Sequence, residues 1–149
     1  LTEILDSPGT HPVAVAFCDV DDFKAINDTY GHLAGDAVLQ SLADSIRARV
    51  RDVDHVARFG GDEILVVLDG VRDLTDAERI ADSVRRRVQA PIRYGHDLLD
   101  VTMSIGVTLV SPGEPIEALL DRVDLAPYKA KRHGKNRVRA VPPPPVPPG

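Results

Sequence analysis

Cysteine occurs once in this 149-residue chain, at position 18. No intrachain disulfide is possible, so nothing in the sequence asks for an oxidising compartment. Cys18 sits in an apolar run and reads as a small core residue. Long hydrophobic runs are also missing. The most compact apolar run, residues 12–18, falls far short of the ~20 residues that a membrane helix needs. No secretory leader pattern is present. The expectation is a cytoplasmic domain with no membrane contact of its own, tethered to a membrane only through segments outside this chain. Positive charge is in the minority: 18 lysines and arginines face 23 acids, a formal net charge of −5. That balance argues against nucleic acid as the partner. No internal repeat is visible.

What is present is an ordinary globular composition, 43% hydrophobic and 28% charged, in a chain long enough for one domain with a core. The β-branched run Val13–Val20 predicts a buried strand. Residues 22–30 fit a short helix closed by Gly31. Val38, Leu42, Ile46 and Val50, four apart with Leu39 beside them, predict an amphipathic helix over 35–50. Two strands are expected at 53–59 and 62–68, joined by a two-residue Gly60-Gly61 turn. Thr75-Asp76-Ala77-Glu78 matches a capping box opening the next helix, which Pro91 stops. Alternation over 99–109 predicts one long strand, with Met103, Ile105 and Val107 on one face and Ser104, Gly106 and Thr108 on the other. A last helix carrying Ile116, Leu119, Leu120 and Val123 follows the Ser111-Pro112-Gly113 turn, then a short strand over 137–141. This divides the chain into a domain over 1–140 and a proline-rich linker or tail over 141–149. Strands and helices so mixed predict an α/β fold, a partly antiparallel sheet flanked by helices.

The chemistry concentrates in two acidic clusters. Asp19-Val20-Asp21-Asp22 closes the first strand, and Asp62-Glu63 follows the paired glycines. Mg²⁺ is a hard ion held by one or two carboxylates, water and substrate phosphates, and paired ions can stabilise attacking and leaving oxygens alike. Alone, Asp62 and Glu63 also read as surface acids flanking a turn.

Phe17-Cys18-Asp19-Val20-Asp21-Asp22-Phe23-Lys24-Ala25-Ile26-Asn27-Asp28-Thr29-Tyr30-Gly31-His32, then Gly35-Asp36, then Arg58-Phe59-Gly60-Gly61-Asp62-Glu63 resembles the GGDEF family of diguanylate cyclases. Thr102 to Val107 and Gly134-Lys135-Asn136-Arg137 continue the resemblance in the right order. It implies a palm-like fold of nucleotidyl-cyclase type and the condensation of two GTP into cyclic di-GMP across a homodimer, with Mg²⁺ or Mn²⁺. By that resemblance Asp19, the Val20 carbonyl and Asp62 bind metal. Asp62 and Glu63 are catalytic, Asn27 and Asp36 read guanine, and Phe23, Lys24, Lys131 and Lys135 contact phosphates. Helix capping is the plain alternative for Asn27 and Asp36.

Arg51-Asp52-Val53-Asp54 stands at the offset of the family's product-inhibition site, where Arg51 and Asp54 would hold cyclic di-GMP; the same pair also fits a helix-end salt bridge. Arg85, Arg86 and Arg87 are the candidates for a third arginine there. The chain departs from the family's pattern at Ile64, at Val123, at Pro127 inside the last helix, and at Lys135, where arginine is usual. The opening Asp-x-Leu-Thr is reduced to Leu1-Thr2. Pro127 and Lys135 favour an alternative, a catalytically impaired module that binds cyclic di-GMP or GTP.

Overall fold

The computed structural model describes residues 12–58, 61–88, 91–115, 117–119, 121–122 and 135–144. Leu1-Thr2, Gly60, Ile116, Leu120, Val123, Pro127 and Lys131 lie outside the described residues. Strand β1 spans Val13–Val20, as its apolar run predicts. Helix α1, Phe23–Tyr30, ends at Gly31, whose φ of 94° an L-residue with a side chain rarely adopts. Helix α2 then starts at once and runs His32–Arg47. It begins three residues earlier than expected because Gly31 both ends α1 and leads into α2.

Strands β2 (His55–Arg58) and β3 (Glu63–Asp69) pair antiparallel, with Arg58 opposite Ile64. That register differs from the expected one. A two-residue Gly60-Gly61 turn would set residue 59 opposite residue 62, whereas this pairing places an odd number of residues in the loop. The one-residue difference decides which side chains share a face. Helix α3, Leu74–Arg87, is capped by Asp73, whose side chain accepts from the Asp76 N–H at 2.7 Å. The cap is therefore Asp73 and not Thr75. The helix begins at Leu74, one residue before Thr75, and the Asp76 carboxylate in turn accepts from the Arg72 N–H and from Arg79.

Strands β4 (Ile92–Tyr94) and β5 (Asp97–Leu99) form a separate hairpin that the sequence reading does not contain. Leu99 belongs to it, so the expected strand over 99–109 is broken at residues 100–102. Strand β6 is Met103–Leu109. Strand β7, Val138–Val141, lies parallel to β6.

The main sheet has the order β2-β3-β1-β6-β7, with β1 antiparallel to both neighbours. This is an α/β palm-like fold with a mixed five-stranded sheet flanked by helices. Ala14, Ala16, Cys18 and Val20 of β1 face the larger core with Val38, Leu39, Leu42 and Ile46 of α2 and Ala77, Ala81 and Val84 of α3. Val15, Phe17, Leu65 and Leu119 form a smaller core on the other face. With both faces covered, Ser104 and Thr108 of β6 are buried as completely as Met103 and Ile105. Each fully buried Leu or Ile contributes roughly 1.5–3 kcal/mol, so the α2 stripe fixes that helix firmly against β1.

Candidate active site

The two acidic clusters meet. Asp19 stands directly opposite Glu63 in the β1–β3 ladder, and the Val20 N–H donates to the Asp62 carbonyl at 3.2 Å. Directly opposed side chains of an antiparallel pair have Cβ atoms about 5 Å apart, and like charges so placed repel. The carboxyl end of β1 therefore brings two acids side by side, an arrangement that a cation nearby would favour. Next to them, burial and then the Asp19 charge push the Cys18 thiol up to about 12, so it stays protonated and serves as core. Among the described residues no three His, Cys, Asp or Glu side chains form a closed cage. Asp19 and Glu63 at this strand end are carboxylates, the donor type that suits a hard ion completing its shell with phosphate and water.

Asp21 has a different place. It is 3% exposed and accepts from Thr102 Oγ1 at 2.7 Å, Ser104 Oγ at 2.6 Å and the Asn136 N–H at 2.9 Å. Three of its roughly four acceptor positions are taken inside the fold. The next residue, Asp22, turns the chain into α1 with a left-handed backbone, φ 57°. Its side chain does not cap α1 but forms an ion pair with Lys135, which raises the lysine pKa. The first amides of α1, on Phe23 and Lys24, thus lack a side-chain cap and lie next to a lysine ammonium. Uncapped N–H groups at a helix start, with the dipole behind them, suit phosphate.

Asn27 and Asp36 are not helix caps. Asn27 lies within α1 and Asp36 within α2. The Asn27 Oδ1 is buried, with no hydrogen-bond partner among the described residues. A buried polar atom so placed carries a cost unless something else supplies a partner. Gly35 makes room for it: a Cβ there would sit 1.9 Å from Asn27 Oδ1. Asp36, next along α2, is largely exposed and meets Arg58 of β2 at 3.7 Å. The sequence reading gave Arg58, Gly35 and Asp21 no role. Gly35 stands at the start of the expected helix, and only the earlier start at His32 places it inside α2.

These observations decide the family. Residues 2–137 match the model of the GGDEF domain of diguanylate cyclases. The chain belongs to the GGDEF family. It is 41% identical over 134 residues to the response regulator PleD of Caulobacter vibrioides, covering 87% of this chain and 29% of PleD. It is 43% identical over 129 residues to the diguanylate cyclase TpbB of Pseudomonas aeruginosa, covering 85% of this chain and 30% of TpbB. The chain thus spans less than a third of those two relatives. Its fold matches the crystal structure of the TpbB GGDEF domain with a TM-score of 0.86 at 40% identity, covering 95% of this chain and 90% of that one. The GGDEF domain of DgcB from Caulobacter crescentus, solved in complex with c-di-GMP, matches with a TM-score of 0.78 at 30% identity, covering 87% and 77% of the two chains. Among the described residues of this GGDEF domain, no helix is long and apolar enough to cross a membrane.

Arg51 and Asp54 of the GGDEF domain lie on the far side of α3 from the Asn136 contact, in a groove of about 480 Å³. Asp54 is 2% exposed and fully engaged: its carboxylate accepts from the Arg51 N–H, from the Arg51 guanidinium and from the Asp69 N–H. The salt-bridge reading of this pair therefore holds in this structure. Arg51 itself is half-exposed to the groove, and Asp54 raises its pKa. The other arginines lining the groove are Arg49, Arg72 and Arg79. Arg85, Arg86 and Arg87 do not line it; Arg85 and Arg86 bind Asp82, and Arg85 also reaches Asn136. Arg85 faces away from Arg79 on this helix, whereas Arg86 and Arg87, seven and eight residues on, share its face but lie beyond Val84, the last helix residue that lines the groove. Arg79, then Arg72, hold the Asp76 carboxyl down to about 2.

Proposed function

We propose that this chain is the catalytic domain of a diguanylate cyclase, condensing two GTP into cyclic di-GMP with release of two pyrophosphates. The observation that carries this reading is the pairing of Asp19 with Glu63 beside the Val20–Asp62 backbone bond, which joins the two acidic clusters at one strand end. Asp19, the Val20 carbonyl and Asp62 are the residues to hold Mg²⁺ or Mn²⁺. The ion supplies charge neutralisation of the triphosphate when bound. Glu63 assists that site or accepts the proton of the attacking hydroxyl. The amides of Phe23 and Lys24, with Lys131 and Lys135, hold the phosphates. Asn27, through its buried oxygen, accepts from a guanine N–H, and Asp36 accepts from the guanine N1–H and amino group. Arg58 keeps the Asp36 carboxylate turned toward β2.

In the reaction, the 3′-hydroxyl of one GTP attacks the α-phosphorus of the other, and the reverse attack closes the ring. Two P–O bonds form, two pyrophosphates leave, and each hydroxyl loses its proton. One chain offers one nucleotide site, so two copies must face each other. Holding both nucleotides in line supplies most of the acceleration. The domain is read as 1–140 with a proline-rich linker after it, acting in the cytoplasm.

A second reading attaches to the groove. Arg51, Arg72 and Arg79 suit the phosphates of cyclic di-GMP as a product inhibitor, and a chain that has lost turnover would still act there as a receptor. The test is to incubate the purified chain with GTP and Mg²⁺ and measure cyclic di-GMP by chromatography. Turnover that disappears in Asp62→Ala supports the enzyme. Absent turnover with binding of cyclic di-GMP that needs Arg51 supports the receptor.

A further inference from the structure

Asp21 belongs to the same acidic cluster as Asp19, yet its geometry makes it no ligand. It accepts three hydrogen bonds from three separate parts of the chain: Thr102 just before β6, Ser104 within β6, and the Asn136 amide before β7. The Asp21 N–H also donates to the Thr102 carbonyl at 3.0 Å. Asn136 is in the left-handed conformation, φ 60°, which asparagine tolerates better than most residues. Arg85 of α3 holds it from the opposite side, donating to the Asn136 carbonyl at 3.1 Å and to its Oδ1 at 2.7 Å. Asp82 in turn fixes Arg85 at 2.8 Å, and Arg85 is only 15% exposed. Asn136 is thereby gripped between a buried carboxylate and a half-buried guanidinium. The residue before it is Lys135, whose ammonium reaches Asp22 at the start of α1.

We infer that Asp21 and Arg85 are positioning residues that clamp Asn136 and so hold Lys135 at the phosphate edge of the site. This rests on the proposed nucleotide reading. The clamp spans the carboxyl end of β1, the start of β6 and helix α3 with side chains that touch no nucleotide. Charge alone at position 135 is not enough. A lysine ammonium is a point charge on a flexible stem, without the bidentate fork of arginine, so its placement depends on how tightly its backbone is held.

The test is a double-mutant cycle on the whole chain. Lys135→Ala is combined separately with Asp21→Asn and with Arg85→Ala, with KM for GTP, kcat and thermal midpoint measured for each. Asp21→Asn keeps an acceptor for the Asn136 amide and loses the charge; Arg85→Ala lies outside the site and serves if Asp21→Asn does not fold. We expect each single variant to raise KM about tenfold, the loss of one or two charge-assisted bonds, with kcat changed less. Adding Lys135→Ala to either background should then raise KM by less than twofold, because the lysine is already misplaced. Full additivity of the two effects, or a fall in kcat with KM unchanged, overturns the clamp while leaving the cyclase reading in place. A wild-type chain that neither binds nor turns over GTP overturns the nucleotide reading, and the clamp with it.

Discussion

Gly35→Ala separates the proposed guanine site from the fold. In α2 this substitution should stabilise the helix itself by about 1 kcal/mol, because alanine is the better helix former. The new methyl would stand 1.9 Å from Asn27 Oδ1 and 3.0 Å from Phe23 Cζ. Ordinary contact needs roughly 3.3 Å, so the amide oxygen must move by about 1.4 Å, and an off-rotamer side chain costs about 0.5–1.5 kcal/mol. The two stability effects nearly cancel, and the thermal midpoint should shift by no more than a few degrees. Guanine recognition has no such compensation. Losing one hydrogen bond from a buried acceptor costs about 1–3 kcal/mol, or about 5- to 150-fold in affinity. Calorimetric titration with GTP, and with ATP for comparison, is the assay. GTP affinity should fall by at least tenfold toward that of ATP while the midpoint holds. Unchanged GTP affinity in a folded variant would refute the assignment of Asn27.

Two further outcomes follow from the same geometry. The Glu114 carboxylate is held by a two-pronged bond from Arg122, which also reaches the Leu109 carbonyl and Thr108, and both partners are largely buried. Glu114→Ala should cost roughly 3 kcal/mol in denaturant melts by leaving Arg122 uncompensated; Arg122 lowers the Glu114 pKa, so the difference from wild type is full above the ordinary carboxylate pKa and fades as the pH falls through the lowered one. Arg79→Ala should weaken cyclic di-GMP binding measured by calorimetry about tenfold, whereas Arg86→Ala, outside the groove, should leave it within twofold.

Much of the site was legible because its chemistry sits in contiguous segments. Asp19 through Asp36 and Arg58 through Glu63 carry the acids and the residues proposed for phosphate and guanine, and β1 beside β3 brings the two acidic clusters together. What was not legible depends on contacts between distant segments. The β2–β3 loop follows the Arg58–Ile64 pairing of the two strands and not the two-residue turn preference of two glycines. The cap of α3 falls on Asp73 because the helix starts at Leu74, which puts the Asp76 N–H within reach of the Asp73 carboxylate. The β4–β5 hairpin has arms of three residues, too short for a periodic signal, and it takes Leu99 out of the long alternation. Ser104 and Thr108, on the polar face of the alternation, are buried because Asp21 takes the Ser104 hydroxyl while the Val141 carbonyl and Arg122 engage Thr108. Asp21 looked like one more acid in a cluster. Its bonds to Thr102, Ser104 and Asn136 come from positions 81 to 115 residues away.

The central claim, that acids of β1 and of the Gly61–Glu63 bend share one cation with a guanine nucleotide, is met most directly by counting bound Mn²⁺ by electron paramagnetic resonance with GTP present. Protein-dependent Mn²⁺ binding should appear with the wild-type chain and disappear in both Asp19→Asn and Asp62→Ala. Undiminished Mn²⁺ binding in those two variants, folded and with GTP still bound, would contradict it.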